Sequence, residues 1–149
     1  GMNNEDECLT ELAHLERALK HHPDAEVKNV ERLDRLRNAH TAALCRAVHG
    51  LLEAFPDRKV VVLIEAEICN LGCQARPEDA VAWIEGVGVF VLEVKSHTIQ
   101  GIRSFENSVP HVIYQGCQVG DVDLLEQPRN FAYKLKGELE KACDAAGIL

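Results

Sequence analysis

The segment Gly88-Val-Phe-Val-Leu-Glu-Val-Lys95 restricts the possible folds of this chain more than any other stretch. Its residues are β-branched, aromatic or otherwise apolar, and they fill both alternating sets, with Val89 and Val91 on one face and Leu92 and Val94 on the other. A strand that is apolar on both faces belongs inside a sheet covered on both sides. Side chains two residues apart share a face, so Glu93 and Lys95 stand together at its end, on the face of Val89 and Val91. A carboxylate and an ammonium in that position either pair with their neighbours or form a site.

Residues 79–85 form a second apolar run, joined to 88–95 through Gly86-Val-Gly88, which is the pattern of a β-hairpin. Register decides what Asp79 meets. A loop centred between Gly86 and Val87 sets Asp79 opposite Val94, on the wrong face. An odd-length loop centred on Gly86 or Val87 sets it opposite Glu93 or Lys95. The two glycines suit a bulged, odd turn. In that register two carboxylates share one edge, and either one takes up a proton or a cation neutralises them. Mg²⁺ or Mn²⁺, bound by carboxylate oxygens, a backbone carbonyl and water, is the hard divalent ion that fits such a pair.

Around the hairpin the chain reads as α, then several β, then α. Leu9, Leu12, Leu15 and Leu19 recur at helical spacing over 5–22, before Pro23. A second helical pattern covers 26–55, with Val30, Leu33, Leu36, Leu44, Val48, Leu51 and Leu52 on a broad stripe; its charged first half leaves open one long helix or two. Residues 59–69 read as a strand running from core to surface, with Glu65 and Glu67 on one face, either extending the acidic edge or, the favoured reading, solvated. Further strands are expected in 98–104 and 111–115, and a closing helix in 121–146. Trp83, inside an apolar run, is expected in the core. Arg129, Lys134, Lys136 and Lys141 give the last helix a basic side, as a nucleic-acid groove or a solvated face would have.

At 149 residues and 46% hydrophobic the chain has material for one core, so one compact unit is expected. It has no run of about 18 apolar residues and no basic-then-apolar leader, so no membrane partner and a cytoplasmic location are expected. Gly1 before Met2 reads as the remnant of a cleaved tag, and the chain stops soon after an apolar helix, which leaves room for a further domain past Leu149. Cys8, Cys45, Cys69, Cys73, Cys117 and Cys143 lack the short repeated spacing of a zinc knuckle or disulfide scaffold, so reduced thiols are expected. A net charge of −8 argues against binding nucleic acid through a broad basic surface, though it leaves room for a local basic strip beside an acidic metal pocket.

Asp79 together with Gly88-Val-Phe-Val-Leu-Glu-Val-Lys95 resembles the nuclease-related domain family, a branch of the PD-(D/E)xK nuclease superfamily. The resemblance covers roughly residues 39–142 and is sharpest over 88–96. It implies an α/β fold with a restriction-endonuclease-like core, in which helices flank a central mixed sheet, preceded here by extra N-terminal helices. The domains implied are a helical extension at 1–38 and a nuclease-related domain at 39–149. It further implies that Asp79 and Glu93 hold the Mg²⁺ or Mn²⁺ with the carbonyl of Val94, and that Lys95 positions the attacking water. Gln127 matches a glutamine at the start of the family's helix after the sheet; Pro128 next to it requires the first turn. The implied function is metal-dependent hydrolysis of nucleic-acid phosphodiesters, DNA before RNA. The alternative is a catalytically degenerate module of the same fold that binds nucleic acid or a partner protein. Homodimerisation through the N-terminal helices is a further possibility. Where the family's first core helix carries a glutamate, this chain has Cys45.

Overall fold

Asn3 starts the first helix, its side chain accepting the Asp6 N–H at 2.8 Å. Helix α1 (Asn4–His21) then carries Glu5, Asp6 and Glu7 in its first turn and Lys20 and His21 in its last, which complements the helix dipole. Its leucine spacing buries Leu12 and Leu15, with Cys8, on one stripe. The structure, a computed structural model, describes residues 3–35, 37–66, 78–94, 102–106, 109–114, 117–118 and 126–147. The chain divides into two compact units, 1–94 and 95–149.

The helical pattern expected over 26–55 is three elements. Strand β1 (Ala25–Lys28) comes first, then a 3-10 helix (Val30–Asp34), and then helix α2 (Ala39–Ala54). Asn29 at φ 62° and Arg37 at φ 48° are both in left-handed backbone, which no helix passes through. Asn29 suits that conformation, and its amide donates to the Ile64 carbonyl at 3.3 Å. Asn38 restarts the helix by accepting the Thr41 N–H at 2.8 Å. The charges that read as a solvated helix belong to an edge strand in which Glu26 and Lys28 are exposed while Ala25 and Val27 pack on the core. Among the described residues before position 39, α1 is therefore the only α-helix.

Strands β2 (Val60–Ala66), β3 (Glu78–Ile84) and β4 (Gly88–Leu92) complete a four-stranded sheet of order β1-β2-β3-β4. β1 runs parallel to β2, and the other pairs are antiparallel. Parallel neighbours need a crossover, which the 3-10 helix and α2 provide. The first unit is thus an α/β structure on a mixed open sheet.

One face of the sheet carries Val60, Val62, Ile64, Ala80, Ala82 and Ile84 into a core with Leu12, Leu15, Leu33, Leu44, Cys45, Val48 and Leu52. Strand alternation then puts Val61, Leu63, Val81, Trp83, Val89 and Val91 on the second face. Trp83 is among them and is 39% exposed, which corrects its expected place in the core. The small alanines of β3 face inward, leaving the indole to the other side.

In the second unit, β5 (Ile102–Glu106), β6 (Val109–Tyr114) and β7 (Cys117–Gln118) form a three-stranded sheet in that order. Helix α3 (Glu126–Ala145) has Pro128 in its first turn, where a missing N–H costs nothing, and it buries Phe131. No helix among the described residues is long and apolar enough to cross a membrane.

Candidate functional site: an acidic row at the end of the sheet

The β3–β4 turn sets the geometry of the candidate site. Ile84 pairs with Gly88, so the loop is odd and centred on Gly86. The Val87 N–H bonds the Ile84 carbonyl at 3.0 Å, closing a β-turn with Glu85 and Gly86 at its centre. Gly86 has φ +75°, the value a type II turn needs at its third residue and a reason for glycine there. The ladder runs on through Val81↔Val91 and Ala80↔Leu92. One further step sets Asp79 opposite Glu93, one of the two alignments an odd loop allows.

The β2–β3 ladder extends the row. Ile64 pairs with Ala80 and Ala66 with Glu78, so Glu65 falls opposite Asp79 on its other side. Glu65, Asp79 and Glu93 thus occupy one cross-strand row, beyond the apolar rows Leu63-Val81-Val91 and Val61-Trp83-Val89. Glu65 departs from regular strand at φ 53°, and its carboxylate takes Arg32 Nη1 at 3.4 Å. Glu67 lies outside the described residues.

Asp79 is the best-anchored member. Its Oδ2 accepts the Val94 backbone N–H at 2.7 Å and faces His40 Nε2 at 3.2 Å. An ionised carboxylate only accepts, so His40 carries its proton on Nε2 in this contact. Both bonds fall on Oδ2; among the described residues Oδ1 makes none. The side chain is only 19% exposed. Glu93 and Val94 are partly buried, and Val94 packs against the core, which fixes the backbone that Asp79 grips.

Of the other expected site residues, Lys95 lies outside the described residues. Gln127 is in the first turn of α3, in the second unit. Among the described residues no three His, Cys, Asp or Glu side chains are grouped so as to hold a metal ion. The donors expected for one are two carboxylates and a backbone carbonyl, a smaller side-chain set, and the hard oxygen of Asp79 Oδ1 fits it.

Cys45, at the position where the family's helix glutamate is expected, is fully buried on the core stripe of α2. Burial, with smaller contributions from Cys8 and Glu11, pushes its thiol up to about 12. Cys8 is also buried, its thiol raised chiefly by burial, and its Sγ lies 3.8 Å from the Leu33 carbonyl. Cys8, Cys45 and Cys143 are free thiols, while Cys69 and Cys73 lie outside the described residues. The α2 residue that reaches Asp79 is His40, which the sequence reading missed. Its signal is the Asn38 cap two residues earlier, which places His40 in a first helical turn.

Compared with models of protein families, with curated proteins and with solved structures, the chain matches none.

Proposed function

We propose that this chain is a metal-dependent nuclease domain with a restriction-endonuclease-like core, in which Asp79, Glu93 and Lys95 act on a phosphodiester, DNA before RNA. The observation that carries the reading is the odd register centred on Gly86, whose ladder ends at Ala80↔Leu92 and, continued by one step, aligns Asp79 with Glu93. Two adjacent carboxylates on one edge are unfavourable without a counter-charge. They are also the arrangement a hard cation prefers.

In this reading Asp79, Glu93 and the carbonyl of Val94 hold Mg²⁺ or Mn²⁺. When bound, such an ion polarises the scissile phosphate and makes a coordinated water easier to deprotonate. The chain's own residues do the rest. Asp79 is oriented by Val94 and His40 through Oδ2, with no bond to Oδ1 among the described residues, which fixes the carboxylate before substrate arrives. Lys95 orients the attacking water and offsets the charge that builds on the phosphorane. Gln127, in the first turn of α3, is the further residue that the resemblance implies.

The test is cleavage of single- and double-stranded DNA and RNA with Mg²⁺ or Mn²⁺, by the wild type and by Glu93→Ala and Lys95→Ala. Loss of at least about 100-fold in either variant is expected, the size usual for a group that stabilises transition-state charge. A folded wild type inert with both ions removes the enzymatic reading.

One observation favours a second reading, a binding module on the same fold. The helix residue that would support the metal is the core cysteine Cys45, which offers no ligand to the acidic row. Calorimetric titration of Mn²⁺ into wild type and Glu93→Gln separates the two, because a pure binding module has no reason to hold the ion at Glu93.

A further inference from the structure

A cavity of about 400 Å³ lies in the first unit between α1 and α2. His14, Arg17, Ala18 and His21 line it from α1, and His49, Leu52 and Glu53 from α2. Each set follows i, i+3, i+4 spacing and so forms one helical stripe. The helices run side by side in the same direction, since Arg46 in the middle of α2 pairs with Glu7 in the first turn of α1 and His22 bonds Phe55 at their ends. His22, Pro23 and Pro56, just past the two helices, close that end.

The lining has distinct polar and apolar parts. Ala18 and Leu52, both packed in or against the core, provide an apolar base. The rings of His14 and His49 are 6.2 Å apart at a 49° tilt, close enough to contact each other and form one aromatic side of the lining. Four of the chain's seven histidines line this one cavity, in a protein of net charge −8. They are not equivalent. His22 is fully committed to the fold, its Nε2 donating to the Phe55 carbonyl at 2.8 Å and its Nδ1 accepting the Asp24 N–H at 2.9 Å. His49 is engaged with Glu53, the cavity's one carboxylate, at 2.8 Å.

Arg17 and His21 make no hydrogen bond or ion pair among the described residues, and His14 is 3.9 Å from Glu11, beyond hydrogen-bond length. The cavity therefore offers uncommitted donors over an apolar base, with its acidic group already paired. No three of its side chains are grouped to hold a metal. We infer that the cavity binds a small organic anion, a carboxylate or phosphate monoester on a flat apolar body. The anionic end meets Arg17 and His21, in the geometry guanidinium groups favour for carboxylate and phosphate. The body sits on Ala18 and Leu52, beside the paired rings of His14 and His49. The volume is in the range of small-molecule sites. This inference is independent of the role of Asp79.

The experiment is a titration of the full, isotope-labelled chain with phenyl phosphate and with benzoate, following the histidine ring and arginine side-chain signals by NMR. Saturating shifts at His14, His21, His49 and Arg17 are expected, with a smaller change at His22. Phenyl phosphate binding tighter than benzoate identifies a phosphate monoester as the favoured head, and the reverse identifies a carboxylate. Arg17→Ala, a change at an exposed position, should weaken the better probe at least about fivefold, the loss of one charge-assisted contact. His21→Ala should weaken it by a smaller factor. Benzylamine, the same body with a cationic head, should leave the signals in place. Shifts that do not saturate, affinity unchanged in Arg17→Ala, or equal binding of benzylamine would each overturn the inference.

Discussion

The Asp79 carboxylate and the Val94 backbone N–H are joined at 2.7 Å across the end of the β3–β4 hairpin. That bond ties the first residues of one strand to the backbone just past the end of the other, and it fixes the chain on either side of Glu93. Removing the acceptor leaves a partly buried N–H without a partner. Asp79→Ala is therefore expected to destabilise the protein by about 1–3 kcal/mol, the usual cost of an orphaned polar group. Asp79→Asn keeps an acceptor oxygen and should cost less. Urea unfolding of the two variants measures the difference, and both should lose Mn²⁺ binding if Asp79 is a ligand.

The hairpin turn tests whether register controls the row. Gly86 has φ +75°, and a Cβ there would lie 2.6 Å from Arg58 Nη1. The guanidinium, which bonds the Glu85 carbonyl at 3.0 Å, can swing aside, but the backbone strain stays. Gly86→Ala should cost about 1–2 kcal/mol, the penalty for a side chain in left-handed backbone. The same change made in Arg58→Ala should relieve the clash and leave the strain, so a double-mutant cycle on unfolding free energies separates them.

The sequence readily gave up α1, because leucines at helical spacing over eighteen residues leave no competing period. The hairpin was legible too, and its glycines narrowed Asp79 to a few partners, among which the turn at Gly86 chose Glu93. Four-residue β1 was not, since Glu26 and Lys28 alternate over too short a span to outweigh the helical pattern around them. Trp83 was misplaced because the hairpin is apolar on both sides. Nothing local says that Ala80 and Ala82, rather than the indole, face the helices. His40 meets Asp79 across 39 residues of chain, and such a contact depends on where α2 starts and how it packs.

Cys45 provides a pH test that does not depend on function. Its thiol is pushed up to about 12 by burial, from the usual value of 9.0. Below pH 9 the thiol is neutral in both folded and unfolded chains and contributes no slope. Between about 9 and about 12 the unfolded chain releases the proton while the folded one keeps it, so stability falls as pH rises. The slope from this one group approaches about 1.4 kcal/mol per pH unit. Unfolding measured across that window should show a shallower decline in Cys45→Ala than in the wild type. Alkylation of Cys45 at neutral pH should be far slower than that of Cys143, which is only partly buried.

The acidic row makes a last, sharper distinction, because Glu65 and Glu93 flank Asp79 on opposite sides yet are expected to differ in role. By register alone the two are equivalent neighbours. What separates them is local: Glu65 sits at φ 53°, outside the paired ladder, and gives its carboxylate to Arg32 at 3.4 Å. The guanidinium that Glu65 already holds leaves this carboxylate less to gain from a cation. Glu65→Gln should therefore keep Mn²⁺ affinity within about threefold of wild type, a change of under about 1 kcal/mol. Glu93→Gln should abolish measurable binding. Arg32→Ala sharpens the comparison, because it releases Glu65 and adds negative charge to the row. In that background Mn²⁺ should bind more tightly, and the further substitution Glu65→Gln should remove the gain. Equal losses in Glu65→Gln and Glu93→Gln would instead mean that the whole row acts as one diffuse acidic surface, with no ion held at the Asp79–Glu93 pair.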